Sequence, residues 1–335
     1  MFKYIVKRLA ISIVILLGVS IIIYTMVRMM PTDYVDNKYA SQLQSGTINQ
    51  DDIDHFKELY GIGDTSFKGI VGGYLKWIGN LCKGDLGLSF KYEKPVAQVI
   101  GENMWISFAI AVIATILQFL IAIPLGISSA THQYSVRDYA VTVFTMIGIS
   151  LPTYFFAAIV IKLFSVNLGW FPSNGLLSAT ANYPDTFMGS MQRLGDIAHH
   201  LVLPILVTVI LSIGGLMRYT RTNTLEVLNA DYIRTARAKG LSEKTVIYKH
   251  AFRNTMIPLV TLLAGILPSL FGGMMITEQV FGIDGIGRLA YQALREGDIP
   301  FVMGYNMFLA ILTIIGTLFS DIMYSVVDPR VKLGK

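Results

Sequence analysis

RYTRTNTLEVLNADYIRTARAKGLSEKTVIYKHAFRNTMIP, residues 218–258, is a long polar run held between two strongly apolar ones. It carries Arg218, Arg221, Arg234, Arg237, Lys239, Lys244, Lys249 and Arg253 against Glu226, Asp231 and Glu243. Sinking the basic residues alone into lipid would cost roughly 20 kcal/mol or more, at about 2.5–3.5 each. The run must therefore sit in water, and the positive-inside bias assigns that water to the cytoplasm. Leu225, Leu228, Tyr232 and Ala236 recur at helical spacing, and Ile233 to Lys239 are good helix formers. Gly240 suits the left-handed residue that stops a helix. Ser242 can cap the next one, with Glu243 at its positive end. The spacing predicts a helix, a sharp turn at Gly240-Leu241-Ser242, and a helix that returns to the membrane. Such a basic folded hairpin is shaped to dock something.

Outward from the hairpin, composition sets the class. The chain has 335 residues, of which 53% are hydrophobic and 15% charged. Soluble domains carry about 25% charged residues. The mean hydropathy of +0.55 agrees with an integral membrane protein. A net charge of +5 is accounted for by the inner loop and tails, so no nucleic-acid partner is required. Cys82, the single cysteine, has no partner for an internal disulfide.

Lys3, Lys7 and Arg8 precede an apolar run over about 9–27, long enough to span a bilayer and followed by no small-residue cleavage site. It reads as an uncleaved first span with the amino terminus inside. Residues 31–102 hold ten acids and no arginine, which fits an outside segment. Short helices are expected over 51–60 and 74–81, the second packing Trp77 and Ile78 near the membrane. Further spans are expected over about 104–129, 139–166, 200–217, 256–276 and 301–327. Pro124 should kink the second. Gln118 either lines a wet path or bonds across helices. Gly148, Ser150 and Pro152 break the third, either to shape a path or to pack closely. Lys162 can snorkel, Trp170 and Phe171 suit an interfacial belt, and His132 reads as a solvated loop residue. His199 and His200 are adjacent, so they leave a helix on different faces and make a poor metal pair. Asp321, in the inner third of the last span, either pairs with a basic hairpin residue or couples protons.

Several stretches resemble a known family. Asp231 to Gly240 (DYIRTARAKG), with His250, Arg253, Asn254 and Pro258, is similar to the cytoplasmic signature loop of permease subunits of ATP-binding-cassette importers, in particular the dipeptide, oligopeptide and nickel branch. Where the superfamily pattern begins Glu-Ala-Ala this chain has Arg234-Thr235-Ala236, and Arg253-Asn254 stands where Leu-Pro is general. Both departures match the peptide branch. Gly84 to Ser89 (GDLGLS), Leu168 to Gly175 (LGWFPSNG), Glu278 to Gly287 (EQVFGIDGIG) with Arg288, and Gly297-Asp298-Ile299-Pro300 resemble that branch's outer loops. Asp284-Gly285 replaces a frequent Pro-Gly.

The resemblance implies an all-α membrane protein of six spans. Its parts would be a first helix over 1–30, an extracytoplasmic region over 31–102, a transporter core over 103–327 with the coupling loop at 218–258, and a cytoplasmic tail over 328–335. Asp231, Arg234, Thr235, Ala236, Arg237, Ala238, Lys239, Gly240, Leu241 and Ser242 would dock on an ATPase subunit. Glu278, Phe281, Gly285 and Arg288 would contact the substrate or its binding protein at the outer gate. Implied partners are a second homologous permease, two cytoplasmic ATPases, an extracytoplasmic substrate-binding protein, membrane lipid and a peptide. No catalytic residue, cofactor or metal is expected in this chain. It has no Gly-x-x-x-x-Gly-Lys-Ser/Thr phosphate loop, so ATP and Mg2+ would be bound by the partner ATPases. The expected function is half of a translocation pathway for dipeptides or oligopeptides in a bacterial cell membrane. A nickel-chelate permease is the alternative, and a carrier coupled to protons through Asp321, Glu278 and Gln118 is a more distant one. An intramembrane hydrolase has no paired acids or Ser–His set to support it.

Overall fold

A computed structural model describes residues 2–28, 43–44, 49 and 66–327, with side chains outside the described residues at 2–5, 27–28, 320–327 and parts of 257–267. The helix expected over 51–60, the side chain of Asp321 and the tail 328–335 thus lie outside the described residues.

Helix α1 (Phe2–Arg28) is followed by α2 (Phe67–Leu81), α3 (Val96–Thr131), α4 (Val136–Ser150) and α5 (Thr153–Val160), which continues as a π-helical stretch, Ile161–Asn167. Then come α6 (Phe187–Leu228), α7 (Asp231–Ala238) and the short α8 (Glu243–Thr245). A second π-helical stretch, Val246–Ala251, leads into α9 (Phe252–Phe271). Helices α10 (Met275–Val280), α11 (Ile286–Glu296) and α12 (Ile299–Val327) complete the described chain. Among the described residues four helices are long and apolar enough to cross a membrane, and the pair formed by α4 and α5 with its π-helical end would be a fifth, bent by 107°. The remaining expected span, over about 256–276, falls on α9, some of whose side chains are outside the described residues.

A span needs about 20 residues. The 42 residues of α6 exceed that twofold, so its last turns project beyond the apolar layer and carry the hairpin. The helix runs on from the expected span over 200–217 in both directions. α6 packs most extensively on α3 and also on α4. The contact with α4 is close because small residues face each other: a Cβ on Gly148 would lie 2.8 Å from the Ile210 carbonyl oxygen, and one on Gly214 would lie 2.7 Å from that of Thr145. The third span is therefore broken at Leu151-Pro152 and closely packed at once. Gln118 donates from Nε2 to the Ser212 carbonyl at 3.0 Å, an interhelical bond. α3 continues as helix through Pro124.

Helix α1 buries Tyr24 against Tyr74 and Trp77 of α2, and Ser20 Oγ lies 2.8 Å from the Tyr74 hydroxyl. Most of the remaining described face of α1, including Ile13, Val14, Ile22 and Met26, is exposed and apolar, as a helix bordered by hydrocarbon would be. Val96, Val99, Ile286, Ala293, Phe301 and Met303 extend the same core through α3, α11 and α12.

Candidate functional site: a basic hairpin and a loop cluster at opposite ends

The hairpin grows from the end of α6. The Asn229 amide donates back to the Glu226 carbonyl, and the chain leaves the helix there. α7 then starts with Asp231 in its first turn, where a carboxylate favours the helix dipole. Only Ile233 and Ala236 of α7 are buried; they pack on Val246 and Ala251, with Val227 and Leu228 alongside. Asp231, Arg234, Thr235, Arg237, Ala238, Lys239, Gly240, Leu241 and Ser242 are all exposed. Gly240 has φ +73, the left-handed geometry expected of the turn, and a Cβ there would meet nothing within 4 Å. Its glycine is required by backbone angle and not by crowding. Ser242 Oγ accepts from the Thr245 amide at 3.4 Å, as a cap. Arg237 forks across the turn to Glu243, with donor–acceptor distances of 2.7 and 3.2 Å. That guanidinium holds the Glu243 carboxyl below the usual carboxylate range. The hairpin is thus a folded tip with a small apolar underside and a basic outer face.

Above the hairpin, Arg221 of α6 meets Asp138 in the first turn of α4. Nε donates to Oδ1 and Nη2 to Oδ2, each at 2.9 Å. Ser129 of α3 donates to the same carboxylate, and the Tyr134 amide donates to it at 3.0 Å. Asp138 is 4% exposed. Three helices are pinned at one carboxylate. From sequence alone Asp138 is a turn residue and Arg221 one of many basic residues. The one legible signal is that both fall at the inner edge of adjacent apolar runs.

At the other end of α9, Gly272-Gly273 turns the chain into α10. Glu278 is wholly buried. Its Oε1 accepts from Ser107 Oγ at 2.7 Å and from the Met274 amide at 3.0 Å, and its Oε2 accepts from the Arg288 amide at 2.9 Å. Ser107 Oγ in turn accepts from the Ile286 amide at 2.9 Å. Gly285 leaves room for this carboxylate, since a Cβ there would lie 2.5 Å from Glu278 Cδ. Phe281 is 2% exposed, packs near Ile110 and Leu203, and its carbonyl accepts from the Gly175 amide at 2.8 Å. Arg288 Nη1 donates to Asp284 at 3.0 Å.

The expected outer contacts therefore take a different form. The side chains of Glu278 and Phe281, and Gly285, are inside the chain, because the carboxylate finds three donors there and the ring finds an apolar pocket. They hold the loop's shape, while Arg288 remains partly exposed. Glu278→Gln places an amide N–H2 against donors, a mismatch costing about 1–3 kcal/mol. The expected result is faster hydrogen exchange at the amides of Met274 and Arg288 than in wild type. Unchanged exchange would show that the carboxylate does not hold the loop.

Two other resembling runs come together beside it. Asp298, fully buried, accepts from Ser89 Oγ at 2.6 Å, from the Phe90 and Lys91 amides at 3.2 and 3.0 Å, and from the Phe301 amide at 3.2 Å. Within the first run the Gly87 amide donates to Asp85 at 2.8 Å. The turn-rich 84–89 segment and the 297–300 segment are thus parts of one cluster with α11, although Ser89 and Asp298 are 209 residues apart in sequence. His199 Nε2 lies 2.8 Å from the Trp170 carbonyl and His200 Nδ1 lies 2.9 Å from that of Asp196, with the rings at 86° to each other. His199 reaches a loop, whereas His200 bonds back to its own helix.

Comparison with known proteins bears on this arrangement. The family model for the binding-protein-dependent transport system inner membrane component matches residues 122–333. The oligopeptide transport system permease protein AppB of Bacillus subtilis is 37% identical over 333 residues, covering 99% of this chain and 100% of that protein. The dipeptide transport system permease protein DppB of Alkalihalophilus pseudofirmus is 30% identical over 341 residues, covering 99% and 100%. A putative peptide transport system permease protein of Brucella abortus is 33% identical, covering 98% of each chain. Among solved structures, the MetNI methionine ABC transporter in an inward facing conformation aligns with a TM-score of 0.50 at 17% identity, over 69% of this chain and 97% of that one. A likeness at that identity speaks for the fold.

Proposed function

The chain belongs to the binding-protein-dependent transport system inner membrane component family, and from that premise we propose that it carries dipeptides or oligopeptides inward, as one of two permease halves driven by separate ATPases. It is a multi-pass membrane transport component. In this reading the hairpin faces the cytoplasm, as do both termini, and the loop cluster around Glu278 and Asp298 faces outward toward a substrate-binding protein. ATP and Mg2+ belong to the ATPases. The single observation that carries the coupling role is the hairpin: an eight-residue helix anchored by Ile233 and Ala236 and otherwise bare. A loop that served only as a topology signal would have no need of a capped, ion-paired fold.

The mechanism is alternating access. Closure of the ATPases moves the hairpin; α6 carries the motion into the bundle, and Arg221–Asp138 passes it to α4. Such coupling requires contacts that differ between the two states, and the bare face of α7 is where they can be made. The cargo follows the printed names of the relatives, which span dipeptides and oligopeptides. The test is uptake into proteoliposomes by this chain with its second permease, ATPases and binding protein. ATP-dependent uptake of a labelled dipeptide or pentapeptide is expected. Uptake of a nickel chelate without peptide uptake would overturn the cargo, and uptake driven by a proton gradient without ATP would overturn the mechanism.

A further inference from the structure

Two breaks in the helical backbone meet at one cavity. α4 ends at Ser150, and α5 starts at Thr153 in a different direction. α9 ends at Phe271, and α10 starts at Met275 after the left-handed Gly273, φ +69. Between these breaks and the middle of α6 lies a cavity of about 440 Å3, bordered by Thr153, Thr208, Ser212, Met274, Met275 and Thr277. Non-helical backbone at membrane depth persists where it is buried in protein or lines a cavity. In carriers, discontinuous helices commonly build the place where cargo is held.

We propose that this cavity holds the peptide in transit, with Thr208 and Ser212 accepting its backbone N–H groups and Met274 and Met275 packing on its side chains. The proposal rests on the peptide-carrier reading above. Ser212 Oγ donates to the Thr208 carbonyl at 2.7 Å, and Thr208 Oγ1 donates to the Pro204 carbonyl at 2.9 Å. The Ser212 hydrogen is committed to its own helix and that of Thr208 is shared between the Pro204 carbonyl and Met274 Sδ at 3.3 Å, which leaves oxygen lone pairs as acceptors. A peptide backbone offers the matching donors. Methionine thioethers are flexible and polarizable, so they adapt to side chains of many shapes. None of the described residues bordering the cavity is charged, so it has no means of choosing by side-chain charge. It is a wide-open cleft, so a peptide lying in it would keep one side free. The site therefore fits a cargo defined by its backbone and indifferent to its sequence. Selection between peptides is left to an earlier step.

The experiment uses the reconstituted complex with Cys82→Ser, because Cys82 is exposed and is the chain's only cysteine. Thr153→Cys is added and treated with a bulky maleimide or with a small methylating thiol reagent. Uptake of a labelled tripeptide by the double variant before treatment is the reference for each reagent. The maleimide cuts uptake by about tenfold or more, as filling an occupied space should, and the small reagent has little effect. Excess tripeptide during the reaction slows the maleimide. Ser212→Trp, which fills the cavity from α6, gives the same loss with ATPases still bound. Complete maleimide modification with unchanged uptake would overturn the assignment. If the untreated wild-type complex itself takes up no peptide, the cargo reading falls, and this site with it. If it does take up peptide and neither variant matters, only the site falls.

Discussion

Replacing Gly240 by aspartate is expected to strip the ATPase subunits from the chain while leaving the membrane helices folded. The backbone at Gly240 sits at φ +73. Any L-residue there pays about 1–2 kcal/mol of left-handed strain, a modest cost that aspartate bears better than most. Space is not the obstacle, since nothing lies within 4 Å of a Cβ at that position. The carboxylate instead changes the surface presented to a partner. Arg234, Lys239 and Lys244 give the hairpin a basic face, and in the proposed docking the complementary groove would be acidic. A new negative charge against that groove costs several kcal/mol; about 3 kcal/mol is more than a hundredfold in affinity. Co-purification in mild detergent reads this directly, with the thermal melt of the chain as the folding control. Gly240→Ala carries at least as much backbone strain without the charge, and should keep most of its ATPase. Full ATPase recovery with Gly240→Asp would sink the docking role; equal loss with alanine would move the cause from charge to backbone geometry.

The hairpin was legible in the sequence because everything that shapes it is local. Cap residues and a glycine turn act within a few positions of one another; the expected stripe of Leu228, Tyr232 and Ala236 is interrupted at Asn229-Ala230, and Ile233, not the exposed Tyr232, is buried with Ala236. The membrane helices were legible for a similar reason: hydropathy is a property of a continuous run. What sequence reading missed depends on contacts between distant segments. Glu278 looked like an exposed loop acid, and nothing near it in the chain announces that Ser107 will supply a buried hydroxyl. Asp298 looked like part of a turn, although its donors come from residues 89–91. The outer end of α6 was missed because the residues at 187–199 lie outside the apolar run, and its inner end, though helical in pattern at Leu225 and Leu228, was assigned to the hairpin and not to the span; both sets of residues belong to one helix. They stay helical by continuing an existing helix, which avoids the cost of nucleation. The π-helical turn at Val246–Ala251 had no sequence signal, and no physical account of it emerges from the residues around it.

Removing the carboxylate of Asp138 is the second large effect expected, and it should act on stability and on transport together. Asp138→Ala leaves the Arg221 guanidinium at the edge of the bundle without its bidentate acceptor, and leaves the Ser129 hydroxyl without an acceptor for its hydrogen, though its oxygen still accepts from Arg221 Nε at 3.0 Å. Breaking a buried pair on one side costs about 3–5 kcal/mol, and the lower end applies because the Arg221 side chain is 25% exposed. A fall in melting temperature is therefore expected. Arg221→Ala should be milder, since the surviving carboxylate keeps the Tyr134 amide and the Ser129 hydroxyl. The order of the two variants separates a specific pin from a general loss of packing, which would penalise the larger truncation more. Arg221 also lies about two helical turns before the end of α6 at Leu228. A hairpin displaced by an ATPase thus pulls on Arg221 before it reaches the bent α4–α5 pair. With Asp138→Ala, at a temperature where the complex remains assembled, ATP hydrolysis should continue while uptake per ATP falls. Proportional loss of both would reduce the pin to a stabilising contact. Unchanged uptake per ATP and an unchanged melt would remove it from the mechanism.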